Sequence, residues 1–583
     1  MPLSSRPPVR PSVRPTARLR RHAAGAVLGL IALAAACVTG TAPAAANAPG
    51  HAGTPSAPVT VFNEDFENGQ AGVPTLLDDY TGGGSLAQTY TADPAWLTDC
   101  NGLLVSQQSP ATPPPGSNCA GGWSPTKQMA AALGTWSGAD PATNHAVTAY
   151  TQANPGGGLI QLQTVKPIPL TATGRFLTFS VDAAAQNCFA AHPLLSFYLL
   201  DGTDALPTST SPIDVCQNPG EVIDGTSVGT YASNGSVLFS GSSAGIRLVN
   251  EQPSGTGNDG AFDDIRLLDA TPQLDLSTTP AQLPVGAPAA LTFTLTNTSE
   301  LAAKNGWSFT AQLPSGLTLA DSSTTTTCGS GHATPGTAAG ALDVGGDLAS
   351  GQSSCTVTVH VTSTLGGTYR LCADAITDQV GIDPPGCTSV AFTAPVFDAR
   401  SHGAQLLGAV AIAPSAHECT TAPGSDSHTV LSAGLGTVAD LGVITTDASG
   451  STAADGTRTA TADARTEGIS LLGGLVTADS LSTTAQARSP LTGSGPGPVT
   501  AQGSTTFAHL RIAGLAVSAN PAPNTGITLP LVGSLILNQQ TPTANGRGIT
   551  VTALSLTLLT GIRLTISQST AALLTSADAC PTG

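Results

Sequence analysis

The sequence predicts an all-β, multidomain fold, and three observations support this prediction. Charged residues make up only 10% of the chain, and Gly, Ala, Thr, Ser and Pro dominate, so strong helix formers are scarce. Apolar and polar residues alternate in runs such as "LTFTLTNT" at 291–298 and "CTVTVHVT" at 355–362, which is typical of half-buried strands. Gly- and Pro-rich turns separate these runs. A chain of 583 residues is too long for one core, so several domains are expected.

Residues 1–48 have the pattern of an export signal. Six arginines without an acidic residue precede an apolar run from Ala23 to Ala36, and "TAPAAANA" offers small residues for cleavage after Ala46 or Ala48. The apolar run is too short for a membrane-spanning helix. We therefore expect a secreted, extracellular protein without a membrane span. The chain ends at "SADACPTG" with no hydrophobic tail, so any association with the cell wall is expected to be non-covalent.

The charge of the mature chain limits the classes of partner. Removal of the signal leaves 14 basic residues against 37 acidic ones, a formal charge of −23. This balance disfavours nucleic acids and anionic membranes, because electrostatic repulsion would oppose both.

Ten cysteines follow the signal, an even number that is typical of disulfide bonding in an exported protein. None has the spacing of a zinc site. Pairing between nearest neighbours keeps every bridge within one predicted domain, so we expect this pairing. The expected disulfides are Cys100–Cys119, Cys188–Cys216, Cys328–Cys355, Cys372–Cys387 and Cys419–Cys580.

Changes in sequence character divide the mature chain into three predicted domains. The first, 59–270, opens with "VTVFNEDFENG" and closes with "GAFDDIRLLD". It contains runs such as "RFLTFSVD" that predict half-buried strands, and only 127–133 has a helical pattern. The second domain, 271–395, alternates cleanly and predicts a β-sandwich. The third, 396–583, almost lacks aromatic residues, so its core must consist of small and aliphatic side chains. It has no fixed repeat period, which favours a sandwich over a solenoid.

Each predicted domain resembles a known class. The pairing of "NEDFENG" with "NDGAFDDIRLLD" resembles jelly-roll domains of the carbohydrate-binding and galactose-binding-like kind. "LPSGLTLADSSTTTTCGSG" followed by "LASGQSSCTVTVHVTSTLGGTY" resembles Ig-like domains of bacterial surface proteins. The last region, with "ARTEGISLLGGLVTADSLSTTAQA" and "PNTGITLPLVGSLILNQQT", is similar to the choice-of-anchor P family of actinobacterial secreted proteins. The resemblances imply a jelly-roll sandwich, an Ig-like sandwich and a C-terminal β-sandwich rich in small residues.

Two adjacent acids in "NDGAFDDIRLLD" form the first candidate site. In a regular strand, Asp263 lies on the same side as Ile265 and Leu267 and should face inward, whereas Asp264 faces the other side. An unpaired buried carboxylate is costly, and Ca²⁺ prefers oxygen ligands. In the jelly-roll modules that the first domain resembles, the first and last strands often share a structural calcium ion. The resemblance implies one structural Ca²⁺ at Glu67 and Asp263, with Glu64, Asp65 and Asp264 as neighbours. The alternatives are catalytic carboxylates or a solvated strand end.

Three tryptophans in loop-like sequence of the first domain form the second candidate site. Exposed Trp96, Trp123 and Trp136 could stack on sugar rings and bind a glycan. The alternative is that they are ordinary core residues with satisfied N–H groups.

The serine motifs give little support for an enzyme. "GTSVG" at 225–229 and "GSSAG" at 241–245 match the pattern of a hydrolase nucleophile, but no helical pattern follows either of them. We therefore expect a secreted, non-catalytic protein that binds or scaffolds, with a glycan or cell-wall polymer as the expected partner of the first domain. The alternative is a secreted glycan-active hydrolase with its site in that domain.

Overall fold

Antiparallel β-sheets form almost all regular structure in the computed structural model, which confirms the all-β prediction. The structure describes residues 52–70, 72–406, 410–575 and 580, without the side chains of 410–414. The predicted signal at 1–48 lies outside these residues. Over the described ranges, no helix combines the length and the apolar character that crossing a membrane requires.

The first sheet group comprises the strands and the single described α-helix up to residue 270. Its elements are β1 (Val59–Glu64), β2 (Thr75–Leu76), β3 (Tyr90–Thr91), β4 (Leu103–Val105), α1 (Trp123–Ser137), β5 (Ala146–Tyr150), β6 (Leu159–Thr164), β7 (Ile168–Pro169), β8 (Arg175–Gln186), β9 (Leu195–Asp201), β10 (Asp204–Pro207), β11 (Glu221–Ile223), β12 (Thr226–Ala232), β13 (Val237–Phe239), β14 (Ser243–Asn250) and β15 (Asp259–Asp269).

These strands form a two-sheet sandwich with a helix on its outside. One sheet has the order β11-β12-β8-β15-β5-β4-β2, with β1 also on β15 and β13 also on β8. The other has the order β10-β9-β14-β6-β3, with β7 also on β14. Phe179, Phe197 and Phe262 belong to the core between them. Strand β8 is buried on both faces rather than half-buried as expected, because it lies mid-sheet between this core and α1.

Helix α1 was only partly predicted, and it corrects the loop assignment of two tryptophans. It extends well beyond 127–133 and includes Trp123 and Trp136. Pro125 lies in its first turn, where a missing N–H costs little. Gly138 ends the helix with φ 79°, a left-handed conformation that glycine adopts without a steric penalty.

The second sheet group forms a sandwich around an aromatic and aliphatic core that includes Phe293, Trp307 and Phe309. Its sheets have the orders β16-β18-β23-β20, β17-β26-β24 and β21-β22-β19-β25, and the β17–β26 pair is parallel. The strands are β16 (Gln273–Thr279), β17 (Gln282–Pro284), β18 (Ala289–Thr296), β19 (Lys304–Gln312), β20 (Thr318–Thr326), β21 (Gly329–Pro335), β22 (Ala341–Leu348), β23 (Ser354–Thr362), β24 (Gly367–Leu371), β25 (Ile376–Val380) and β26 (Thr388–Thr393).

The third sheet group packs a six-stranded sheet, β28-β27-β43-β42-β41-β40, against a nine-stranded sheet built on β29-β32-β33-β34-β38-β39. Its strands are β27 (Val396–Leu406), β28 (Val410–Thr420), β29 (Gly424–Val430), β30 (Ala433–Gly434), β31 (Ala439–Leu441), β32 (Ile444–Thr452), β33 (Arg458–Leu471), β34 (Val476–Ser489), β35 (Leu491–Thr492), β36 (Gly495–Pro496), β37 (Thr500–Ala508), β38 (Arg511–Ile512), β39 (Leu515–Ala516), β40 (Thr525–Leu529), β41 (Gly533–Pro542), β42 (Gly548–Leu558) and β43 (Arg563–Leu574).

Small side chains let the two sheets of the third group approach each other closely. One core cluster consists of four alanines, Ala399, Ala416, Ala448 and Ala462. Buried hydroxyl groups also pair between the sheets, for example Thr466 with Ser567 at 2.9 Å. A sandwich built on small residues is what the composition of this region predicts.

Neither the disulfides nor the sheets of the described residues connect different sheet groups. The structure contains all five expected disulfides, each within one sheet group. Among the described strands, no sheet crosses residue 270 or 395. The cores nevertheless touch, because Phe176 of the first group belongs to the core of the second. The described residues of all three sheet groups form one compact unit, and the domain limits stay a prediction.

Candidate functional site: an acidic cleft

Strand pairing brings the two ends of the first sheet group together. Strands β1 and β15 are antiparallel, with Glu64 opposite Ile265, so the residues after β1 continue past Asp264 and Asp263. On the other side of β15, Val147 of β5 lies opposite Phe262. The residues that precede β5 therefore also reach Asp263.

A β-bulge sets the direction of the two adjacent acids. Between Asp263 and Arg266, β15 has one residue more than its partner β8, and Asp264 has φ 48°. Phe262 and Ile265 consequently both face the sandwich core. Asp263 is buried on the opposite face, below the end of α1. The expectation that Asp263 shares a side with Ile265 is wrong, because the bulge shifts the alternation by one residue.

Four of the five predicted acids line one open cleft of about 490 Å³, which we call the acidic cleft. Its lining residues are Asp65, Glu67, Ser137, Gly138, Ala139, Thr143, Asn144, Asp263 and Asp264.

The fifth predicted acid, Glu64, does not line this cleft. Its side chain lies among buried aromatic residues, where it accepts hydrogen bonds from the hydroxyl groups of Tyr80, at 2.9 Å, and Tyr90. Burial raises the pKa of Glu64, although these two hydrogen bonds oppose the shift. We therefore exclude Glu64 from the candidate site.

The carboxylates of the cleft already have donors. Asp263 accepts hydrogen bonds from Nδ2 of Asn144 and from the N–H of Asp264, both at 2.8 Å. Glu67 accepts from the N–H of His145, and its Oε2 lies 2.7 Å from Nδ1 of the same histidine. The half-buried Asp264 faces Arg266 at 3.3 Å.

Burial and like charge dominate the electrostatics of the cleft. Burial raises the pKa of Asp263 well above its ordinary value of 3.8, and the neighbouring Asp264 and Glu67 add to the shift. Asp182 lies directly opposite Asp263 on β8. Burial raises the pKa of Asp182 as well, and Asp264 raises it further. The site therefore favours positive charge from a proton, a cation or a basic group.

Three functional residues were missed from the sequence. Asn144 and His145 lie far along the chain from the acids they contact, and no local pattern marks them. Asp182 had a signal: it is the one acid inside the apolar run "RFLTFSVDAAA". A carboxylate within a continuous apolar strand needs a partner, so this position could have been noticed.

The oxygen atoms of the cleft are suitable ligands for a hard cation, but the side chains are not arranged around a common point. Four carboxylates offer the oxygen ligands that Ca²⁺ prefers. In the described residues, however, no three His, Cys, Asp or Glu side chains stand close enough together to hold a metal ion as they are. A cation at Glu67 or Asp264 would compete with His145 or Arg266 for the carboxylate. The calcium site stays a prediction.

The three tryptophans do not form a common surface. Trp96 and Trp123 are buried in different cores, so neither offers a ring face to a sugar. The core alternative with a satisfied N–H holds for Trp123, whereas the buried Nε1 of Trp96 has no hydrogen-bond partner among the described residues. Nε1 of Trp123 donates to the carbonyl of Pro110 at 2.8 Å. Trp136 is half-buried, and its Nε1 donates to Oγ1 of Thr230 at 2.9 Å. A sugar platform on Trp96 and Trp123 is therefore wrong.

We expect acidification from about pH 7 to about pH 5 to stabilise the wild-type chain more than the Asp263→Asn variant, measured as the thermal unfolding midpoint with chelator present. A carboxyl whose pKa is raised by folding binds a proton more readily in the folded state. Its contribution is complete below the unfolded value near 4 and is lost as the pH rises through the raised folded value. Equal pH responses of the two proteins would show that Asp263 does not titrate in this way.

The comparisons with known proteins identify one stretch of the chain. Residues 272–392 match the model of a domain of unknown function, DUF7933. The matched residues belong to the second sheet group. No curated protein matches the chain. Among solved structures, the chain is similar to the adhesin InvE of Yersinia pseudotuberculosis, with 13% identity, coverage of 48% of this chain and 72% of that one, and a TM-score of 0.16.

A second solved structure, a structural-genomics protein of unknown function from Bacteroides ovatus, is also similar. The two sequences are 10% identical, the match covers 53% of this chain and 97% of the other, and the TM-score is 0.16. Scores this low carry no argument about fold or function for either neighbour.

Proposed function

We propose that this chain is a secreted, non-catalytic binding protein of the cell exterior, and that its acidic cleft is the binding site. Five disulfides support an oxidising, extracellular location. The observation that carries the proposal is the cleft itself, an open space of about 490 Å³ lined by four carboxylates and by uncharged small and polar residues. Among the described residues, neither a lysine nor an arginine lines it.

The lining suits a ligand rich in hydroxyl groups. Carboxylates are strong acceptors for hydroxyl donors, and Ser137, Thr143 and Asn144 can both donate and accept. A glycan or a cell-wall polymer presents many such hydroxyl groups and needs no positive protein charge. This chemistry favours a polysaccharide over a nucleic acid, whose phosphates the carboxylates would repel.

We include one Ca²⁺ ion in the proposal, held by Glu67, Asp263 and Asp264 with Asp65 beside them. Calcium would supply the positive charge that the crowded carboxylates lack. The ion would join the end of β1 to β15, because Glu67 follows the first strand and the other two acids belong to the second.

A glycan-active hydrolase is the second candidate, and one observation favours it. The raised pKa of Asp263 beside Asp264 resembles the split of acid and base roles between two carboxyls. Asp263 is only 2% exposed, so a sugar ring has no room to bring its glycosidic oxygen beside this carboxyl, whereas a small cation needs much less space. Ser227 and Ser243 of the two serine motifs lie at the start of strands β12 and β14, without the strand–turn–helix of a hydrolase elbow.

Saturating calcium should raise the unfolding midpoint of the chain Pro49–Gly583 relative to chelator, as measured by calorimetry. A ligand present at about 100 times its Kd stabilises the folded state by about 2.7 kcal/mol. Glu67→Gln should lose most of this gain, because it removes a charge at nearly constant volume from a side chain that borders the cleft. The same variant should lose retention on a column of purified cell-wall polysaccharide in calcium.

Asp204→Asn is the matched control, because Asp204 is an exposed carboxylate on β10, outside the cleft lining. It should leave both the calcium response and the retention unchanged. Equal midpoints in calcium and chelator would remove calcium from the proposal. If the Glu67→Gln variant is retained on the polysaccharide column as well as the wild type, the cleft is not the binding site. Steady turnover of the polysaccharide by purified protein would favour the hydrolase.

A further inference from the structure

Four leucines of the third sheet group are the most exposed large hydrophobic side chains of the described residues. Leu531 is 96% exposed, Leu431 79%, Leu559 75% and Leu515 74%. All four lie in or beside reverse turns rather than on a strand face. Scattered exposed leucines are normal on a protein surface, but several at one place need an explanation.

Two of these leucines are neighbours at one end of the six-stranded sheet. Leu531 lies in the turn between β40 and β41, and Leu559 lies in the turn between β42 and β43. Gly533 pairs with Leu558 across the sheet, and the N–H of Leu559 donates to the carbonyl of Val532 at 2.9 Å. The two turns therefore lie side by side.

A third leucine, Leu515, lies at the same end of the nine-stranded sheet. Leu515 starts β39, directly after the turn that follows β38, and the N–H of Ala513 donates to the carbonyl of Leu475 in the adjacent turn. Leu431 follows β29, which lies at the opposite edge of that sheet from β39, so it does not belong to this group. The strand ends of both sheets enclose one aliphatic core, which includes Leu564 and Ile512 from opposite sheets. We call the exposed Leu515, Leu531 and Leu559 the leucine tip.

The turns of the leucine tip are uncharged, and charge begins only on the strands behind them. The stretches 513–517, 529–533 and 558–562 contain no acidic or basic residue. Exposed Arg511 lies two residues before the start of one turn, and exposed Arg563 immediately follows another. Asp440 on β31 is an exposed acid at this end.

Leu531 also has an unfavourable backbone conformation. Its φ is 64°, in the left-handed region where glycine and asparagine are favoured and a bulky side chain is strained. A side chain that is 96% exposed gains almost no packing energy within the chain in return. Strain of this kind is typical of positions that have a task outside the fold.

We infer that the leucine tip inserts into the surface of a zwitterionic phospholipid bilayer. Uncharged turns that carry exposed leucines can enter lipid without a preformed groove, because acyl chains can close around each side chain. Arg511 and Arg563 would then lie at the depth of the lipid phosphates, which they can bind. The acidic net charge of the chain excludes a strongly anionic membrane. This surface is separate from the acidic cleft and does not depend on it.

Flotation of the chain Pro49–Gly583 with phosphatidylcholine vesicles tests this inference. The wild-type protein should float with the vesicles. Each lost leucine should lower the partition coefficient about tenfold, so Leu531→Ser combined with Leu559→Ser should lower it about a hundredfold. Arg511→Gln should lower it by a smaller factor, because one phosphate contact is lost.

Leu365→Ser is the matched control, since Leu365 is an exposed leucine of the second sheet group. It should not change flotation, and all variants should keep the wild-type unfolding midpoint because the substituted side chains are exposed. Wild-type protein that stays at the bottom of the gradient would overturn the inference, as would equal flotation of the double leucine variant. A concentration-dependent dimer that the double variant abolishes, without vesicle binding, would assign the tip to a second copy instead.

Discussion

Replacing Arg175 by methionine should lower the free energy of unfolding by about 3–5 kcal/mol, because it leaves the buried Asp269 without its partner. Nε of Arg175 donates to Asp269 at 2.7 Å, and its Nη1 lies 2.5 Å from Asp383. Arg175 and Asp269 are buried, so water cannot replace the guanidinium. Urea unfolding at neutral pH, followed by circular dichroism, measures the loss.

The control for this prediction is Arg465→Met. Arg465 pairs with Glu467 at 2.9 Å, but both side chains are largely exposed, and exposed pairs contribute at most about 1 kcal/mol. If the two substitutions cost the same, the Arg175 pairs behave like surface pairs and do not hold the first two sheet groups together.

Arg175 lies at the contact between the first and second sheet groups. Asp269 belongs to the first sheet group and Asp383 to the second, so the guanidinium bridges them. The next residue, Phe176, inserts into the core of the second group, and a Cβ atom on Gly381 would lie only 2.4 Å from its ring. The two groups are therefore packed together as parts of one body rather than linked by a free connector. A ligand bound in the acidic cleft would be held in a fixed orientation relative to the second group.

The sequence predicted the strands of this protein well, because alternation with period two is a local property. In β23, every second residue from Cys355 to Val361 is buried, as the pattern "CTVTVHV" predicts. The alanine-rich core of the third group follows equally from composition. Such features need no knowledge of distant contacts.

Features that depend on distant contacts could not be predicted in the same way. The bulge at Asp264 reverses the face of Asp263, and an extended-strand reading has no means to place one extra residue. Asn144 reaches Asp263 across 119 positions of the chain. Trp96 and Trp123 are core residues because parts of the chain distant in sequence pack over them. The loop-like sequence around them gives no sign of this burial. The acidic cleft was thus predicted in its carboxylates but not in the side chains that hold them.

Removing the Cys419–Cys580 disulfide should destabilise the chain by about 5 kcal/mol in the chain-entropy model. The two cysteines are 161 positions apart, so the bridge closes almost the entire third sheet group into a loop and greatly restricts the unfolded chain. The double variant Cys419→Ser, Cys580→Ser removes the bridge without leaving a free thiol. Urea unfolding, followed by circular dichroism, measures the loss in free energy.

The matched control is Cys372→Ser with Cys387→Ser, which opens a loop with a separation of only 15 positions. The same model gives about 3 kcal/mol for a loop of this length, so the long bridge should be the more stabilising by about 2 kcal/mol. The order of the two effects is the decisive result, because both variants replace the same pair of side chains. A smaller loss for the Cys419–Cys580 variant would mean that this bridge does not restrain the unfolded chain, and that the third sheet group is stabilised by its small-residue core alone.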